Sequence, residues 1–212
     1  MRRYFREPIS GLTHLIGALL SIAALWKLIS MASHSCNIWY IVSFVIFGIS
    51  LILLYSSSAV YHLVKSSPRI IQNLRRLDHA MIYVLIAGSY TPFCLGPLRG
   101  TMGFYFLAAT WLIAFLGILF SIFYIKAPRW IAALLYLGMG WAAAVIIKPL
   151  WHALSHGALI WLVIGGFFYS LGSLIYIFKW PNPFPGIFGF HEIWHIFVLA
   201  GSLSHFASVI QL

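Results

Sequence analysis

The chain has 212 residues, of which 62% are hydrophobic and only 8% charged, with a mean hydropathy of +0.97. A soluble domain averages about a quarter charged residues and has no interior large enough for so much apolar surface, so an integral membrane protein is expected. The formal charge of +10 comes from basic residues scattered singly between apolar runs, which suits loops facing anionic headgroups and argues against a nucleic-acid-binding surface.

A membrane-crossing helix needs about 20 apolar residues. Seven such stretches are predicted, at 11–32, 39–63, 77–97, 102–125, 130–149, 158–180 and 187–210. MRRYFR and the run behind it read as a retained first span, because that run exceeds the apolar core of a signal peptide and no A-x-A site follows. The separators SHSCN, KSSPRIIQNLRR, GPLRG, KAPR, KPLWHALSHG and WPNPFPG are polar or rich in Pro and Gly. Proline removes a backbone donor and disfavours helix in the residue before it. The predicted fold class is an all-α seven-transmembrane-helix bundle forming one domain over residues 1–212. Cys36 and Cys94 belong to no CxxC or Cys-rich tract, so thiolate-held zinc is not expected and both read as unpaired thiols.

Lysine and arginine placement orients the bundle. Arg2, Arg3, Arg6, Lys65, Arg69, Arg75, Arg76, Lys126, Arg129 and Lys179 fall on one side; the other side has only Arg99 and Lys148, and Lys27 lies within the first span. The N-terminus is therefore expected in the cytoplasm and the C-terminus outside, opposite to a G-protein-coupled receptor. This topology brings His62, Asp78, His191 and His195 to a common depth, roughly 5–12 Å inside the cytoplasmic boundary.

Of three acidic residues, Asp78 and Glu192 sit beside histidines in apolar segments, where ionisable groups are costly and mark function. His191 and His195 are spaced i, i+4 on one helix face, as are Ser58 and His62. Three imidazoles suit zinc and leave a fourth position for water, whose acidity the ion would raise. Asp78 is positioned to orient that water as general base, and Ser58 to hydrogen-bond it or a developing oxyanion. The plainer alternatives are helix-start pairing of Asp78 with Arg75 or Arg76 and back-bonding of Ser58 to a carbonyl. HEIWH is also a literal H-E-x-x-H, in which Glu192 would be the base of a metalloprotease. His152 and His156 form a second HxxxH in an outer loop with no carboxylate nearby, and His34 reads as a loop residue. His14 and His205 read as polar packing groups, the site being the alternative destination of His14. His79 points away from Asp78, toward the periphery.

In order along the chain, EPISGLTHLIGALLS, SSSAVYH, LDHAMIYVLIAGSYTPF and HEIWHIFVLAGSLSHF resemble bacterial hemolysin-III-type members of the progestin and adipoQ receptor family. The resemblance implies seven helices with a cytoplasmic N-terminus in the bacterial inner membrane. It also implies a zinc pattern that maps onto Ser58, His62, Asp78, His191 and His195. The wider superfamily includes alkaline ceramidases, which implies a zinc-dependent hydrolase of an acyl-lipid amide or ester, with a membrane lipid or fatty acyl chain as its partner. The alternatives are a lipid-responsive receptor or membrane-homeostasis regulator with a structural zinc, and the intramembrane protease.

Overall fold

The computed structural model describes residues 4–35 and 37–212; Arg2, Arg3 and Cys36 lie outside the described residues. The helices are α1 (Pro8–Ser35), α2 (Ile38–Leu63), α3 (Pro68–Leu95), α4 (Thr101–Phe123), α5 (Arg129–Gly140), α6 (Ile147–Ala153), α7 (His156–Phe178) and α8 (Phe190–Val209), with a 3-10 segment at Trp141–Ile146 joining α5 to α6. No strand forms among the described residues, only an isolated bridge between Phe184 and Phe188. Helix α1 lies against α2 and α8, α3 packs between α2 and α4, α5 touches α3 and α7, and α7 runs along α8.

Small polar residues share the interior with apolar ones, and large apolar side chains also cover the outside. Ser43, Ser50, Thr91, Thr110 and Ser208 are buried, while Trp26, Phe123 and Val145 are exposed. Lipid is as apolar as leucine, so helices in a membrane associate through small residues and hydroxyl contacts, and their apolar side chains face outward. The buried hydroxyls are satisfied mainly within their own helices: Ser50 donates to the Phe47 carbonyl at 2.7 Å and Thr91 to that of Ala87 at 3.0 Å. A smaller set ties helices together. Ser202 of α8 receives the Tyr55 hydroxyl of α2 at 2.6 Å and lies 2.8 Å from the Tyr169 hydroxyl of α7. Gly17 lets α1 approach this seam, for a Cβ there would stand 2.7 Å from Leu199 and 2.9 Å from Tyr55.

Pro8–His34, Ile38–Leu63, Thr101–Phe123, Arg129–Ala153 and His156–Phe178 are each long and apolar enough to cross a membrane. Helices α3 and α8 fall short because they carry the polar residues of interest: α3 opens with PRIIQNLRRLDH, and α8 holds HEIWH and a run of serines.

Three expectations need correction. KSSPRIIQNLRR is not a loop throughout, because α3 begins at Pro68 after the Ser67 N-cap; proline fits the first helical position, where its missing N–H would be unpaired anyway. His34 lies in the last turn of α1, its Nδ1 2.6 Å from the Ser30 carbonyl, and not in a loop. The stretch predicted as a fifth helix at 130–149 is broken, passing from α through 3-10 to α and ending at Ala153.

The break has a structural cause. The Tyr90 hydroxyl of α3 contacts the Met139 and Gly140 carbonyls and accepts the Ala143 N–H at 3.0 Å. Irregular backbone at membrane depth persists where protein groups satisfy it. Removing this hydroxyl leaves those groups unpaired, so Tyr90→Phe is expected to destabilise the chain by about 1–3 kcal/mol, read as a lower melting temperature in detergent.

Candidate metal centre

Helix α2 ends at Leu63, and its last turn carries His62; the first two turns of α8 carry His191 and His195. His62 Nε2 lies 3.5 Å from His191 Nε2. Ring centroids are 4.8 Å apart for His62 and His195 and 4.7 Å for His191 and His195. One nitrogen from each ring lies within 4.8 Å of the other two. Tetrahedral ligands at about 2.0–2.1 Å from an ion stand about 3.4 Å apart, so modest ring rotations would close the set. The three histidines can hold a metal ion.

The surroundings fit that role. His195 donates from Nδ1 to the Ser10 carbonyl at 3.2 Å, and its Nε2 is buried without a hydrogen-bond partner. His62 turns Nδ1 to the Glu7 carboxylate and Nε2 to His191. In both rings the partner of Nδ1 leaves Nε2 with its lone pair facing the cluster. Carboxylate and carbonyl partners of this kind orient metal-binding imidazoles and raise their basicity. Burial alone would raise the Glu7 pKa, but the His62 hydrogen bond and the nearby Arg6 more than reverse this, holding its carboxyl below the usual carboxylate range.

The start of α1 supplies both partners, Glu7 from the residue just before the helix and Ser10 from its first turn; neither was legible as a site residue. The backbone binds there too: Glu7 N–H donates to the His62 carbonyl at 2.9 Å and Arg6 N–H to that of Leu63 at 3.4 Å. Arg6 also lies over the Tyr61 ring at 4.1 Å. Ser10 and His14, spaced i, i+4, share one face of α1. His14 does reach the site, stacking on His195 with centroids 3.7 Å apart and planes 17° apart. Both of its ring nitrogens are buried without a hydrogen-bond partner.

Asp78 and Ser58 are buried. Neither belongs to the three-ligand group. Both line a cavity of about 350 Å³, with His14 beside them and Leu85, Phe93 and Val198 among its apolar walls. His62, His191 and His195 do not line it.

The Glu192 carboxylate is engaged twice, by the Ser10 hydroxyl at 2.9 Å and the Gly189 N–H at 2.9 Å. Those contacts cap α8 and tie it to α1. His152 lies in α6 and His156 opens α7, so the second HxxxH does not sit in a loop as expected; both are exposed and belong to no three-ligand group among the described residues. His205 lines the cavity far along α8 from the ligands, against the ring of Tyr169. Cys94 is a buried free thiol.

Residues 2–206 match the family model described as "Haemolysin-III related". The chain is 45% identical to a Hemolysin-3 homolog of Bacillus subtilis over 96% of its length and 92% of that protein. It is 40% identical to Hemolysin-3 of Bacillus cereus, covering 99% of this chain and 93% of the relative. A more distant similarity, 26% identity over 94% of this chain and 49% of the relative, is to an adiponectin receptor protein of Drosophila melanogaster.

Replacing Glu7 with Gln keeps the shape and removes the charge that steadies His62. Metal affinity is expected to fall about 10- to 100-fold in competition with a chromogenic chelator, and His62→Ala to abolish stoichiometric binding.

Proposed function

We propose that this chain, which belongs to the haemolysin-III-related family, is a zinc-dependent hydrolase of an acyl-lipid amide or ester. The observations that carry the reading are a three-histidine cluster formed by the ends of α2 and α8 and a long apolar cavity whose wall carries the buried Asp78 and Ser58. Cavity-lining residues run along α3 from Asp78 to Phe93, a helix length of about 22 Å, which suits an extended acyl chain. Zinc, when bound, would supply Lewis acidity and acidify a water molecule. His62, His191 and His195 would hold it. Asp78 would orient the water and accept its proton, a role for which a carboxylate beside the ligands but outside their number is suited. Ser58 would donate its one hydroxyl proton to the water or to a developing oxyanion. The apolar walls would hold the chain and exclude bulk water.

In the same reading α3 and α8 cross the membrane with the five more apolar segments. Their polar faces turn toward the bundle interior, giving seven crossings with the N-terminus in the cytoplasm. A bacterial inner membrane is the matching location.

A second reading is a structural zinc tying α2 to α8 in a lipid-responsive receptor or regulator. It draws on the full burial of His62 and His195 and on their absence from the cavity wall.

Purified protein is expected to contain about one zinc per chain. Asp78→Asn should retain the metal while hydrolysis of a long-chain N-acyl lipid falls about 10²- to 10⁴-fold. Undiminished turnover in that variant would overturn the role of Asp78. Chelation that lowers the melting temperature, in a protein with no turnover of acyl amides or esters, would favour the structural zinc.

A further inference from the structure

A second, smaller crevice opens at the metal-site end of the bundle, between α3, the α4–α5 connection, the start of α5 and α7. Arg75, His79, Ser121, Arg129 and Tyr176 are among its walls, and no carboxylate is. Both arginines are half-buried. Arg129 lies over the rings of Tyr176 and Phe190 at 5.4 and 5.5 Å, which fixes its guanidinium without neutralising it. Neither Arg75 nor Arg129 makes an ion pair among the described residues.

No side chain of this protein can supply the missing charge. Its three acidic residues are Glu7, Asp78 and Glu192, and each lies elsewhere: Glu7 is paired with His62 and Arg6, Glu192 is bonded to Ser10 and Gly189, and Asp78 lines the long cavity and not this crevice. Two guanidiniums partly withdrawn from water without a counter-ion are costly unless an anion completes them. The first turn of α5 points the same way, since it starts at Arg129 behind Pro128 and no side chain caps it. The positive end of the helix dipole adds to the attraction for an anion.

We propose that this crevice binds the phosphate of an anionic membrane phospholipid, at a site separate from the metal centre and from the long cavity. Guanidinium forks match phosphate oxygens in pairs. The lipid is favoured as the source of the phosphate by what flanks the crevice. Phe123, Tyr124 and Trp130 are 72%, 65% and 52% exposed around it, an aromatic fringe of the kind that sits at headgroup level. Lipid tails would lie along that fringe while the headgroup reaches the arginines. Through Phe190 and Tyr176 the crevice adjoins His191, so its occupant borders the metal ligands without touching them.

The test uses the full-length protein in neutral detergent, titrated with phosphatidylglycerol and read by native mass spectrometry. Diacylglycerol with the same chains and inorganic phosphate serve as the other probes. Wild type is expected to retain one phosphatidylglycerol that diacylglycerol does not replace. Arg75→Gln with Arg129→Gln should weaken retention at least about tenfold. Lys126→Gln, which alters an exposed lysine in the same connection outside the crevice, should leave it within about twofold. If the glutamine pair loses helicity, the charge-preserving pair Arg75→Lys with Arg129→Lys decides, with binding several-fold weaker expected from loss of the forks. Equal retention by wild type and the folded arginine variants would overturn the proposal. So would an equal loss in Lys126→Gln, which means diffuse attraction, and so would saturation by inorganic phosphate with no lipid retained.

Discussion

The contact between Glu7 and His62 is the constraint on which the rest of the site depends. The two residues meet through their side chains and again through the backbone, where the Glu7 amide caps the carbonyl end of α2. The chain enters α1 at this point, so one short segment sets the rotation of a ligand ring, ends α2 and starts the helix that holds His195 through the Ser10 carbonyl. Ser10 then donates to Glu192, which caps α8. In a membrane interior an unpaired carboxylate is expensive. Here Glu7 and Glu192 each have a partner: Glu7 pairs with His62 and Arg6, and Glu192 bonds Ser10 and Gly189.

The grouping of the three histidines was legible in the sequence because two independent patterns agree on it. The i, i+4 spacing of His191 and His195 gives a shared face, and the distribution of lysine and arginine gives a common depth with His62. Glu7 and Ser10 were not legible as site residues for a physical reason. They precede or begin the first apolar run, where a Glu next to Arg6 resembles any charge at the headgroup level. Their role depends on how α1 packs against α2 and α8, which no local pattern encodes. His14 was seen as a polar group in the inner half of its helix, and only the stacking distance to His195 decides where it goes.

The helical class was equally plain from composition, and most helix ends fell near the predicted breaks. The departures have local causes. Pro68 begins a helix where a breaker was expected, because proline at the first position costs no hydrogen bond. Gly140 ends α5 within an apolar run that reads as continuous, because a tyrosine from another helix satisfies the backbone groups that the break releases. Hydropathy alone sees neither effect.

The 3-10 segment at Trp141–Ile146 also forms part of the wall of the long cavity, since Trp141, Ala143, Ala144 and Ile146 line it. On the outer surface of the same stretch, Trp141 and Val145 are 61% and 81% exposed. Hydrogen-bond geometry in a 3-10 turn is poorer than in an α-helix, so this panel is held partly by side chains, the Tyr90 hydroxyl on the Ala143 N–H and Trp141 on Ser170. A hydrophobic guest arriving sideways from the bilayer would therefore meet a thin partition, and its path inside would never cross water.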